Sequence, residues 1–172
     1  MWLPLLICLG AIALLVGPIM LMQPTRSQRR LAQLREAAMA AGLRVHLQAP
    51  PAGAKIASGA ALVAAYCLPW KESGMAKSVW QLVKKGFAHE LHAAAEWDWS
   101  EAPAQFDWSA FRPCLEQVPA KVFAIASGPQ GLCCYWTEQG DREDVQLIAA
   151  WLEASAKVLR RAGKRRPEVS QS

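Results

Sequence analysis

The stretch "KVFAIASGPQGLCCYWT", residues 121–137, decides the fold. Two runs of strand-forming residues, Lys121 to Ala126 and Leu132 to Thr137, flank Ser127-Gly128-Pro129-Gln130-Gly131. Glycine and proline in that spacer favour a turn, so the stretch predicts a β-hairpin with a loop. A long helix is expected from Gly140-Asp141 onward. Asp141, Glu143 and Asp144 fall in its first turn, where the helix dipole favours negative charge. Val145, Ile148, Leu152 and Leu159 form an apolar stripe, Arg160 and Arg161 fall in the last turn, and Gly163 is the expected stop.

Upstream, the periodicity is mostly that of strands. Leu43 to Gln48 alternates apolar and polar, and Ala49–Gly53 is a Pro-rich loop. Ala60 to Leu68 reads as a buried strand, or alternatively as a short helix. Pro69–Gly74 is a turn, Ser78 to Lys84 a further strand and Lys85-Gly86 a hairpin turn. From Phe87 to Trp99 the chain alternates again, with a bulge or break expected near Ala93–Ala95 because alanine is a poor strand former. Residues 106–117 read as a short helix started or interrupted at Pro113. Hairpins dominate and no βαβ run occurs. The expected class is α+β: a mainly antiparallel sheet with the long C-terminal helix on its apolar face.

The chain opens with an uncharged apolar run, Trp2 to Met22, followed by Arg26, Arg29, Arg30 and Arg35. About 20 apolar residues suffice to span a bilayer as a helix. No basic residue precedes the run and no small-residue cleavage site ends it, so an uncleaved anchor is expected. The basic flank puts the N-terminus outside and the rest in the cytoplasm, at the inner membrane. The expected organisation is an anchor over 1–22, an amphipathic stem helix over 23–42 capped by Thr25 or Ser27 and stopped by Gly42, an α+β domain over 43–163, and a disordered basic tail over 164–172.

The 172 residues carry a net charge of +5, with basic residues crowded at both ends. Residues 90–116 hold six carboxylates against Arg112 alone. Such a distribution suits contact with anionic lipid headgroups, through Arg26, Arg29, Arg30, Arg35, Arg165 and Arg166, and not a nucleic-acid footprint. The five cysteines are odd in number and lack metal spacing. In a reducing compartment no disulfide framework is expected. Cys133-Cys134, on a strand, point to opposite faces as small apolar fillers, or in a minority reading carry a redox or soft-metal role.

"HELH", His89–His92, is one residue short of the zincin pattern. On a strand its two histidines face apart, so no shared metal is expected. Glu90, Glu96 and Asp98 share one strand face, but exposed carboxylates lack the environment that splits their pKa values. There is no nucleophile elbow, phosphate loop or dinucleotide fingerprint, and no cofactor is expected. Of the eight tryptophans, Trp97, Trp99 and Trp108 are the candidates for a partner surface.

The N-terminal third resembles the YajC family, the small accessory subunit of the bacterial preprotein translocase. The likeness rests on "MQPTRSQRRLAQLREAAMAAGLRV", with Pro24, Gln28, Arg29, Arg30, Gly42 and Val45 in the matching places. It covers residues 1–47 and lapses after Val45, where the family's short segment with a double glycine is missing. It implies an accessory role with a membrane-protein partner and carries no catalytic residue over. The expected function is therefore a non-enzymatic binding subunit of a membrane complex, and the resemblance implies a translocase-related one. The alternative is a membrane-tethered enzyme using Glu90, Glu96 or Cys133-Cys134.

Overall fold

The computed structural model describes residues 2–4, 6–10, 12, 24–54, 61–71, 79–85, 93–94, 96–103 and 109–164. Contacts divide the chain into two units, Met1–Gln33 and Leu34–Ser172.

In the first unit, residues 3–4, 6–10 and 12 are helical and exposed. Among the described residues no helix is long and apolar enough to cross a membrane. This corrects the expected anchor over 1–22 and, with it, the single-pass inner-membrane placement. Helix α1 (Arg26–Ala40) starts in this unit. Thr25 Oγ1 accepts from the Gln28 amide at 3.2 Å, and Gln28 Oε1 accepts from the Thr25 amide at 2.8 Å. This reciprocal capping box explains why the helix starts despite its unfavourable basic first turn.

The second unit begins inside α1, where Leu34 and Ala38 are buried. Gly42, at φ +79°, ends the helix in a left-handed turn, and the Leu43 amide donates back to the Ala38 carbonyl at 3.0 Å. Six strands follow: β1 (Arg44–Gln48), β2 (Val63–Leu68), β3 (Trp80–Lys84), β4 (Trp97–Glu101), β5 (Val122–Gly128) and β6 (Gly131–Trp136). Helix α2 (Arg112–Glu116) lies between β4 and β5, and α3 (Arg142–Lys164) ends the described chain, running past the expected stop at Gly163. The sheet order is β1-β2-β6-β5-β3-β4, and every pairing is antiparallel. The α+β sheet with a C-terminal helix is thus present.

The predicted hairpin is β5–β6, tighter than expected because only Pro129 and Gln130 separate Gly128 from Gly131. Gly131 adopts φ +133°, and a Cβ there would lie 2.1 Å from the Leu68 carbonyl oxygen. Only glycine lets β2 come this close. The expected strand over 87–99 is shorter in what is described: Ala94 makes only an isolated bridge to Trp97, and β4 starts at Trp97. Residues 86–92 lie outside the described residues.

The sheet has two buried faces. On one, Tyr66, Trp80, Leu82, Ile125, Leu132, Cys134 and Trp136 pack with α1, α2 and α3. The α3 stripe Val145, Ile148, Leu152 and Leu159 is at most 1% exposed. The Trp151 indole N–H donates to the Cys114 carbonyl at 2.9 Å and ties α2 to α3. On the other face, Val63, Ala65, Cys67, Val83, Ala124, Cys133 and Tyr135 form a smaller cluster, against which Ala54 packs.

Arg35 on α1 holds Glu138 through two hydrogen bonds, at 2.8 and 2.7 Å, and the Tyr66 hydroxyl donates to Glu138 at 3.1 Å. The Glu138 carboxylate raises the Arg35 guanidinium above its ordinary pKa through these bonds. Glu138 is 7% exposed and sits at φ +53°, a left-handed conformation that costs a non-glycine residue about 1 kcal/mol. The paired charges offset that cost. Glu138→Ala leaves Arg35 and Tyr66 without their acceptor, and we expect a loss of about 3 kcal/mol in urea unfolding. Glu138→Gly relieves the backbone and should be less damaging by about 1 kcal/mol.

The start of α3 is a second capping box. Asp141 Oδ1 accepts from the Glu143 and Asp144 amides, and Asp144 Oδ2 accepts from the Asp141 amide at 3.0 Å. Lys121 bonds Asp144 Oδ2 at 2.6 Å, and this contact, ahead of the Asp141 amide, lowers the Asp144 pKa from its ordinary 3.8. A carboxylate whose pKa falls on folding contributes stability above its unfolded value and loses it as pH drops through the folded one. Asp144→Asn should therefore lower stability at pH 6, and the gap to the parent should close as pH falls below about 4, read by urea midpoints across pH.

Candidate functional site

The β2–β3 connection begins with Pro69, Trp70 and Lys71. The Trp70 indole N–H donates to the Gly128 carbonyl at 2.9 Å, so the β5–β6 turn fixes the ring. Helix α3 packs across β6 and β2 and brings Glu153, Ala156, Lys157 and Arg160 alongside. Spacings of three and four residues put these four on one helical face. Between loop and helix lies an open groove of about 270 Å³. Leu68, Pro69, Trp70 and Ala156 supply apolar lining, and Lys71, Lys157, Arg160 and Glu153 the charged lining. Among the described residues none of the three cations Lys71, Lys157 and Arg160 makes an ion pair.

A second groove of about 250 Å³ lies on the opposite face of the sheet, along β6. Gln48, Tyr135, Cys133, Ala126 and the β5–β6 turn line it. Gln48 Nε2 donates to the Tyr135 hydroxyl at 2.7 Å. Burial raises the Tyr135 pKa, with a hydrogen bond to Gln81 acting the other way. Tyr135 is thus a neutral phenol in this site. Cys67 and Cys133, directly opposed on β2 and β6, form a disulfide. This overturns the expectation of reduced cysteines: strand register, not spacing in sequence, brings the pair together. The bond closes a separation of 66 residues, worth about 4 kcal/mol by chain entropy. Cys134 points to the helix face, where burial pushes its thiol far up. The neighbouring cysteines therefore do not act as a pair.

The residues singled out from sequence are scattered. Arg26, Arg29 and Arg30 are exposed on the first turns of α1. Arg35 is occupied by Glu138, so it serves the fold and not a lipid surface. Arg165, Arg166, Trp108, His89, Glu90 and His92 lie outside the described residues. Trp97 is 3% exposed, and Trp99 packs edge-on against Trp80 at 6.2 Å. Trp97 thus belongs to the core, while Trp99 is half-buried at its edge. Glu96 pairs with Lys84 at 3.1 Å and Asp98 with Lys85 at 3.9 Å, an arrangement of solvated ion pairs and not of an acid–base couple. Among the described residues no group of three His, Cys, Asp or Glu is placed to hold a metal ion.

Sequence reading missed both grooves. Lys71 had only the signal of a turn and Arg160 that of a helix end; their shared groove exists only once α3 lies over β2. The disulfide can be checked directly. Denatured without reductant, the protein should titrate three thiols, Cys8, Cys114 and Cys134, and after reduction five. Five thiols before reduction would remove the bond from the structure.

No family model matches the chain, and neither the curated proteins nor the solved structures contain a significant match.

Proposed function

We propose that the second unit is a non-catalytic binding module that holds an acidic, partly apolar polypeptide segment in the groove between the β2–β3 connection and α3. The observation that carries this reading is the set of three cations without ion partners around a tryptophan-walled groove. Apolar walls favour burial of a Leu- or Phe-sized side chain, worth about 1.5–3 kcal/mol. The cationic rim favours carboxylates beside it and raises the association rate for an acidic partner. An accessory role is also what the N-terminal likeness to the YajC family implies, and that likeness carries no catalytic residue to place here.

The test is fluorescence anisotropy with a fluorescein-labelled peptide of alternating Glu and Asp around a single Phe. Binding is expected to weaken as salt rises from 50 to 300 mM, because exposed charges are screened. The double variant Lys157→Glu, Arg160→Glu should weaken it about tenfold or more at low salt, consistent with roughly 0.2–1 kcal/mol for each exposed pairing lost and a further repulsion gained. Equal affinity of parent and variant would sink the reading, as would tighter binding of the matching Lys-rich peptide.

A further inference from the structure

The second groove holds a group that the proposed function leaves unused. On that face the strand register sets a row across the sheet: Arg44 on β1, Cys67 on β2, Cys133 on β6, Ala126 on β5 and Gln81 on β3. The two ends of the disulfide differ. Cys67 is 0% exposed, whereas Cys133 is 5% exposed and lines the groove. A thiolate attacks a disulfide sulfur from the side away from its partner sulfur, so access on that side decides which sulfur reacts. For Cys133 that is the β5 side, where the next residue is Ala126, too small to fill the groove. For Cys67 it is the β1 side, where Arg44 stands.

We propose that this groove is a modification site, in which a low-molecular-weight thiol attacks Cys133 Sγ and is left on it as a mixed disulfide. The incoming thiolate forms a bond to Cys133 Sγ. The Cys67–Cys133 bond breaks, and Cys67 leaves with the electron pair and takes up a proton equivalent to the one the incoming thiol lost. One disulfide is exchanged for another, so no further oxidant or reductant is needed. The Tyr135 hydroxyl and the Gln48 amide offer polar partners to the bound thiol. Cys134 takes no part, because it faces the other side of the sheet.

The test uses the full oxidised chain and reduced glutathione, quenched with acid and alkylating agent and read by peptide mass mapping. Glutathione is expected on Cys133 with Cys67 alkylated, at a rate proportional to glutathione concentration. Ala126→Leu, which fills the groove, should slow the exchange at least tenfold. If that variant misfolds, a pair of single variants decides. With oxidised glutathione, Cys67→Ser should be modified at Cys133 at least ten times faster than Cys133→Ser is at Cys67, with mapping separating both from Cys8. The proposal is overturned by modification of Cys67 at an equal rate, by a rate independent of thiol concentration, or by five free thiols in the protein as isolated.

Discussion

Strand β6 has no exposed residue: all six positions from Gly131 to Trp136 are buried, alternately on one face of the sheet and the other. That constraint organises the second unit. A strand buried on both faces must have neighbours on both edges and cover above and below. β2 and β5 supply the edges. Helix α3 lies over Leu132, Cys134 and Trp136, and the cluster of Ala65, Ala124 and Tyr135 forms on the reverse face. A register shift of one residue would move Cys133 to the helix side and Trp136 to the reverse, so pairing is strongly specified. Gly131 locks it from one end, since the close approach of the Leu68 carbonyl admits no side chain there.

Arg35, Tyr66 and Glu138 lock it from the other end. Glu138 follows β6 by two residues and precedes α3, so its ion pair joins α1, β2 and the entry to α3 at one point. The left-handed backbone at Glu138 turns the chain from strand toward helix. A strained residue persists only where its surroundings hold it, and here a buried carboxylate with three hydrogen bonds does so.

What could be read from the sequence follows from how far each signal reaches. The β5–β6 hairpin, α3 and its stripe, and α1 ending at Gly42 were all legible, because periodicity and caps act within a few residues. An uncharged run of apolar length does not by itself make a spanning helix, and among the described residues no helix is long and apolar enough to cross a membrane. Trp97 and Trp99 share one parity of β4, yet Trp97 is buried and Trp99 only half-buried, a difference set by the packing over the sheet and not by the alternation. The strand order, with β3–β4 placed outside β5, has no local signal. Neither does the disulfide, since its two residues meet only through the β2–β6 register.

The two grooves share a cause in that register. The β5–β6 turn anchors Trp70 through the Gly128 carbonyl on the helix side and borders the Cys133 groove on the reverse side. One tight turn therefore shapes both sites, and its geometry depends on Gly131 fitting under Leu68. The charged groove needs α3 over β2; the thiol groove needs small residues on β5. Neither requirement is expressed as a motif of adjacent residues. Each is a consequence of which strand stands next to β6, and so the chemistry available to this domain is set by strand order before it is set by any single side chain.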